Sequence, residues 1–187
     1  MFTCLQADGL ILRELRESDY SLWLEGYEKS LVSQNAFDAS YLEPKEQNQA
    51  FFLNLIKQDK KAREIEQTFN FYAFNKDESE FIGGSQLWDI KRGGLQSATL
   101  GFWVLNNHWR KGFGYKIGKA TINYGFEILK LNRIEAGILP DNKSSLRLCE
   151  KLGLKFEGIK RQALWVNQKF EDHALYATIA SDRNTVI

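Results

Sequence analysis

The stretch from Leu100 to Asn123, LGFWVLNNHWRKGFGYKIGKATIN, restricts the fold more than any other part of the chain. It opens on Gly101-Phe102-Trp103-Val104-Leu105, a run of aromatic and branched residues suited to a pleated surface. The polar turn Asn106-Asn107-His108 follows, then the basic glycine pair Arg110-Lys111-Gly112-Phe113-Gly114. From there apolar groups recur at Phe113, Ile117, Ala120, Tyr124 and Ile128, against Lys116, Lys119, Asn123, Glu127 and Lys130, which predicts an amphipathic helix. A strand feeding a helix through a glycine turn leaves first-turn N–H groups free at the positive end of the helix dipole. Glycine there lets an anion approach the backbone, and Arg110, Lys111 and Lys116 add full charges. On these residues alone two readings stay open: a phosphate cradle, or a glycine turn before a surface helix with solvated lysines.

Two known phosphate motifs do not fit. A P-loop ending on Gly118-Lys119 would have Phe113 at its first glycine and Ala120 at its hydroxyl. Gly112, Gly114 and Gly118 are spaced G-x-G-x-x-x-G, but six residues separate the strand-like run from Gly112, and no acidic residue closes the next strand at the usual distance, about 20 residues on, Asp141 lying too far along.

The rest of the chain predicts an α+β protein with a mixed sheet of six or seven strands and about four helices. Leu10–Leu15 reads as a strand, with Ser18 or Asp19 capping a helix that carries Leu22, Trp23 and Leu24. Glu43 and Pro44 suit the start of a second helix, striped by Phe51, Phe52, Leu55 and Ile56. The mixed charges of Lys57–Glu66 read as a helix end and solvated linker. Thr68–Phe74, Phe81–Trp88 and Ala98–Leu105 form three hairpin-linked strands, with Gly83-Gly84 predicting a bulge or a close backbone approach. Arg133–Leu139 is a strand ended by Pro140; Asp141 or Asn142 caps a short helix closing at Gly153; Leu154–Trp165 and Lys169–Ile179 make a last hairpin.

At 187 residues this fits one domain, 1–187, and 43% apolar with 26% charged residues is ordinary globular composition. A net charge of +1 gives no general attraction to nucleic acid or membrane. Cys4 and Cys149 cannot build a disulfide framework, and no secretory or membrane-spanning stretch is visible, so a cytoplasmic protein is expected. His108 and His173 stand apart without metal-ligand spacing, so no metal site is expected. Ser145, Leu148, Cys149 and Leu152 share one helix face; the serine either bonds back to its own turn or faces a partner across that face.

Trp109-Arg110-Lys111-Gly112-Phe113-Gly114 resembles the pyrophosphate-binding signature of the GCN5-related N-acetyltransferases, [QR]-x-x-G-x-[GA]. Leu131-Asn132-Arg133-Ile134-Glu135, Asn142-Lys143-Ser144-Ser145, Glu150-Lys151-Leu152-Gly153-Leu154 and the segment from Glu157 to Tyr176 resemble the branch that acetylates ribosomal-protein N-termini. The likeness runs from about Phe81 to Tyr176 and implies the acyl-CoA N-acyltransferase fold, with its two central strands splayed. It implies transfer of acetyl from acetyl-CoA to a primary amine by direct attack, the acceptor being a protein N-terminus. A polyamine or aminoglycoside-like acceptor and a non-catalytic acyl-CoA-binding module are the alternatives.

The resemblance puts Arg110, Lys111, Gly112, Phe113, Gly114 and Lys116 at the phosphates, and the strand edge of Trp103, Val104 and Leu105 beside the pantetheine. Asn142 would bond the pantetheine arm, and Ser145 would give a proton to the leaving thiolate. Phe37, Tyr72 and Trp88 are candidates for the acceptor pocket. The base is left open: Leu164 stands where the branch carries a glutamate and Thr99 where many relatives carry an acid, so another carboxylate, His173 or a water chain would serve. Trp109 replaces the first residue of the signature. A monomer or a homodimer fits equally.

Overall fold

A computed structural model describes residues 4–40, 45, 47–166 and 168–185, the side chains of 183–185 excepted. Its frame is an eight-stranded sheet in the order β1-β2-β3-β4-β5-β6-β8-β7. These are β1 (Cys4–Ala7), β2 (Leu10–Arg13), β3 (Thr68–Asn75), β4 (Phe81–Lys91), β5 (Ser97–Val104), β6 (Arg133–Ile138), β7 (Lys155–Val166) and β8 (Lys169–Ile179). Every neighbouring pair is antiparallel except β5 with β6. The sheet exceeds the expected six or seven strands because Cys4–Ala7 folds back on Leu10–Arg13 through the turn Asp8-Gly9.

Four helices cover the two faces: α1 (Tyr20–Glu28), α2 (Gln49–Glu64), α3 (Phe113–Glu127) and α4 (Lys143–Lys151). On one face α3 and α4 close a core in which Leu12, Phe71, Ala73, Leu87, Ile117, Ile134 and Cys149 are fully buried. On the other, α1 and α2 pack Trp23 and Phe52 against Tyr72, Phe74, Phe81 and Leu105. None of these helices is long and apolar enough to cross a membrane.

Several element boundaries differ from expectation. α2 begins at Gln49, where the Asn48 side chain accepts from Phe51 N (2.9 Å); Glu43 and Pro44 lie outside the described residues. It then runs through the charged segment to Glu64, since Asp59 and Arg63, one turn apart, face the sheet. Asp19 precedes α1 without capping it, because its carboxylate is bonded to Arg13 (2.6 and 2.9 Å) and to Arg16 N (2.7 Å). Ile128 lies just past α3 and is 63% exposed. The expected irregularity at Gly83 is there: the β3–β4 register shifts between Ala73 and Phe74, and a Cβ on Gly83 would sit 2.4 Å from Trp103 O.

Candidate active site

The β5–α3 connection opens the site. After the 3-10 turn Asn106–His108, Arg110 (φ 63°) and Gly112 (φ 80°) are both left-handed and bracket Lys111. Alternating handedness turns successive N–H groups to one side, a concavity suited to anions. No backbone amide from Arg110 to Tyr115 donates to a described residue, and the first α3 bond runs from Lys116 N to Gly112 O (3.3 Å). The exposed side chains of Arg110 and Lys111 pair with no described carboxylate. Lys116 turns elsewhere: its Nζ donates to Asp8 O (2.8 Å) and lies 3.1 Å from Asp8 Oδ2. Trp109, at the signature's first position, donates from Nε1 to Val104 O (2.7 Å) and so ties the loop to the end of β5.

Beside this loop the sheet is open. β5 and β6 are in register only where Ser97, Ala98 and Thr99 meet Arg133, Ile134 and Glu135. β6 goes on pairing with β8 to Ile138, and β5 with β4 to Val104, so the two central strands part beyond Thr99. Leu105 N donates to Ile82 O (2.9 Å), which fixes the alternation along β5. Trp103 and Leu105 direct their backbone groups to β4, whereas Phe102 and Val104 direct theirs into the gap. Val104 O is held by Trp109, leaving Val104 N–H and both groups of Phe102 as an open row. Of the strand residues expected at the cofactor, Val104 is therefore on that row. Phe102 joins it, and Trp103 and Leu105 face away from it.

α4 forms the far wall. Asn142 caps it, its Oδ1 accepting from Ser145 N (3.1 Å) and Ser144 Oγ (2.9 Å). Ser145 is half-buried and its hydroxyl bonds to no described residue, so its oxygen is not turned back onto its own helix. Two glycines bring α4 close to α3: a Cβ would lie 2.9 Å from Leu148 on Gly114 and 2.6 Å from Leu152 on Gly118. Gly114 thus serves helix contact as well as the loop, a use the spacing pattern did not reveal. Cys149 is fully buried, its thiol pushed up to about 12 by burial, and belongs to the core.

The opposite face holds the aromatic residues. Tyr72 of β3, Gly84 of β4 and Trp103 of β5 are consecutive register partners, and the Tyr72 and Trp103 rings meet edge to face at 6.0 Å. Trp103 Nε1 is buried without a partner among the described residues. Tyr72 OH and Asn70 Nδ2 each donate to Asp59 (both 2.7 Å), whose carboxyl burial raises above its usual range despite those donors. Trp88 and Phe37 are 44% and 37% exposed and stand apart from this group. Sequence reasoning missed Asn106, read there as turn. It is buried, exchanges two bonds with the Leu31 backbone (2.7 and 2.8 Å) and donates to Asp38 (2.8 Å). That residue fastens the 31–40 loop to the end of β5, a contact 75 positions long that no local pattern could signal.

Residues 9–155 match the model of the Acetyltransferase (GNAT) domain. The chain is 36% identical over 119 residues to the probable N-acetyltransferase YjcK of Bacillus subtilis, covering 64% of this chain and 66% of that protein. It is 31% identical over 114 residues to the [ribosomal protein uS5]-alanine N-acetyltransferase of Escherichia coli, 61% of this chain and 59% of that one. It therefore matches just under two thirds of the first of these relatives and a smaller share of the second. Among solved structures, Mycobacterium smegmatis RimJ in complex with CoA-disulfide superposes at a TM-score of 0.78 with 20% identity, covering 97% of this chain and 88% of that one. A spermidine N-acetyltransferase SpeG chimera from Vibrio cholerae and hSSAT superposes at 0.74 with 21% identity, 95% and 99% covered. At those identities the structural likeness is one of fold. The family match spans the nest, the splayed strands and the α4 cap, and the chain belongs to the GNAT family of N-acetyltransferases, in the part of it that resembles the ribosomal-protein enzymes.

Proposed function

We propose that the protein transfers acetyl from acetyl-CoA to a primary amine, and that the favoured acceptor is the N-terminal amine of a protein. The observation that carries this is the junction of two features: backbone amides from Arg110 to Tyr115 that donate to no described residue, and the row of Phe102 and Val104 where β5 has parted from β6. The residues fit the cosubstrate. The nest, with Arg110 and Lys111 beside it, suits a diphosphate, and the open row suits the amides of a pantetheine arm by strand addition. Acetyl-CoA supplies an acetyl group activated as a thioester. Ser145, on α4 and with a hydroxyl that bonds to no described residue, is the candidate proton donor to the departing thiolate, and Asn142 caps that turn of α4.

The acceptor class is argued from charge. A peptide N-terminal amine, with a pKa of about 7.7–8.0, is partly neutral at pH 7, whereas a lysine side chain near 10.4 is not. A polyamine would want converging free carboxylates. Asp38 is bonded to Asn106 (2.8 Å) and Gln34 N (2.9 Å), and Glu78 to Arg13 (2.5 Å). Asp77 accepts from Ser79 (3.0 Å), and Asp89 pairs with Lys91 (3.0 Å) at the far end of β4. These four acids do not meet in one cleft. The test is thiol release from acetyl-CoA with peptides bearing free Ala or Ser N-termini, set against spermidine. Release with the peptides is expected, the acetyl group mapping to the α-amine by mass spectrometry. Release with spermidine alone would transfer the reading to small amines, and tight coenzyme A binding without release on any acceptor would make the protein a binding module.

A further inference from the structure

Two glycines flank the gap at equivalent depth. Counting two residues past the last β5–β6 pair, Thr99 with Glu135, gives Gly101 on one strand and Gly137 on the other. Both face the side of the sheet that carries Tyr72 and Trp103. Each is overhung by one side chain. A Cβ on Gly101 would meet Gln86 Nε2 at 3.0 Å, and a Cβ on Gly137 would meet His173 Nδ1 at 2.8 Å. The result is a window without side chains of its own, with a carboxamide on one sill and an imidazole on the other. A nucleophile entering from that face meets these two groups first.

Resting on the acetyltransferase reading above, we propose that His173 is the proton acceptor of the reaction and that Gln86 orients the incoming amine. Neither ring nitrogen of His173 bonds to a described residue, so the imidazole is not committed to a structural partner. It is half-buried, and burial, with Lys160 next in effect, holds it below the usual histidine range; it is neutral at pH 7 and able to accept. Of the charged groups on its face, Lys160 is its register partner on β7 and Glu171 lies two residues away on its own strand, while Glu135 and Arg133 of β6 lie farther along, opposite Ala177 and Ile179. Glu135, the rival base, is bonded to Arg133 (2.6 Å), while Glu171 pairs with Lys169 (2.8 Å). In the step, the amine lone pair forms the new C–N bond at the thioester carbonyl as the C–S bond breaks. The amine's N–H proton passes to His173, directly or through one water, and the sulfur leaves as thiolate to be protonated separately.

His173→Gln keeps the size and a hydrogen-bonding end but cannot accept the proton. Expected is a loss of about 100-fold or more in kcat/KM at pH 7. The limb that His173 sets, below the one set by ionisation of the amine itself, should be lost, so the deficit should shrink as pH falls through it, with coenzyme A affinity by calorimetry unchanged. The chain has two histidines, so the imidazole C–H resonance missing from the variant assigns His173. In the wild-type protein without cosubstrate that resonance should titrate below the ordinary histidine range, matching that limb. Gly137→Ala, which displaces the ring but retains it, should reproduce the loss if His173→Gln folds poorly. A pH-independent loss, an unaltered profile or a resonance that titrates away from the limb would overturn the proposal. Full activity in His173→Gln would remove the base and leave the acetyltransferase reading intact, whereas a wild type inert on every amine would remove that reading itself.

Discussion

Arg13 closes β2 at 2% exposure, yet its guanidinium is fully engaged. It forks onto Asp19, reaches Glu78 (2.5 Å) and Glu14 O (2.9 Å), and stacks on Phe74 at 4.2 Å. Nothing local in Leu10–Leu15 distinguishes this arginine from a surface one, because its partners come from 6 and 65 positions away. Asn106 and Asp59 are the same kind of case. What the sequence does reveal at this scale is chemistry needing no distant partner: the glycine at Gly112 and the Asn142 cap. His108 allows a measurement. It is 3% exposed, and burial lowers its pKa, with Glu80 at 3.6 Å opposing and Lys111 adding to the shift. A histidine depressed on folding is protonated first in the unfolded chain, so stability rises with pH between the folded value and about 6.5. The wild type should thus lose stability as pH falls below about 6.5, by at most about 1.4 kcal/mol per pH unit from this residue. His108→Gln should flatten that part of a denaturation-versus-pH curve, and an identical slope would assign the effect elsewhere.

At the scale of elements, periodicity located α3 and α4, and turn residues bounded every strand from β3 onward, although Phe71–Phe74 and Phe81–Ser85 are buried on both faces of the sheet. α2 was cut short, since a mixed-charge run looks solvated in one dimension. Only the fold shows that Asp59 reaches Tyr72 and that Arg63 lies over Phe69 and Phe71 (4.9 and 5.1 Å). The α3–α4 seam is hidden for a related reason: Gly114 reads as a phosphate glycine and Gly118 fits no motif, and their role in helix contact depends on Leu148 and Leu152 across the seam. At Gly118 a methyl group can be met by rotation of Leu152, and alanine is worth up to about 1 kcal/mol over glycine in a helix, so Gly118→Ala should be close to neutral. Valine cannot be met that way. Gly118→Val should cost about 1–3 kcal/mol in chemical denaturation by overpacking. It should also weaken coenzyme A binding, because α4 carries Asn142 and Ser145, the residues proposed above to meet the pantetheine arm and the thiolate. A valine variant with wild-type stability and affinity would show that the seam tolerates separation and does not set the site.

Across the whole molecule, the sheet is two antiparallel halves, β1 to β5 and β6 to β8, joined side by side where Ser97–Thr99 meet Arg133–Glu135 and where Asn132 N and Arg133 N donate to Gln96 O (2.6 and 3.1 Å). The fold class and the placing of the anion loop were legible because the Leu100–Asn123 text dictates strand, turn and helix in one run. The depth of the gap was not, since register between parallel strands depends on how both halves pack. A ligand that fills the gap completes the backbone bonding of β5 and ties the halves together, so it must stabilise the folded chain by linkage. Coenzyme A at about 100 times its Kd should add about 2.7 kcal/mol to the unfolding free energy. Amide exchange should then show where. Protection should rise at Phe102, Val104 and the Arg110–Tyr115 loop, whose N–H groups donate to no described residue, while Trp103 and Leu105, already bonded to β4, should not change. A different outcome has a definite place to appear, because a 310 Å³ pocket between the β1–β2 turn and α3 is lined by Tyr115, Lys119 and Asn123. If protection gathered there and left Phe102 and Val104 exchanging freely, the nucleotide would be held outside the sheet. The splayed strands would then not be the path by which the thioester reaches the amine.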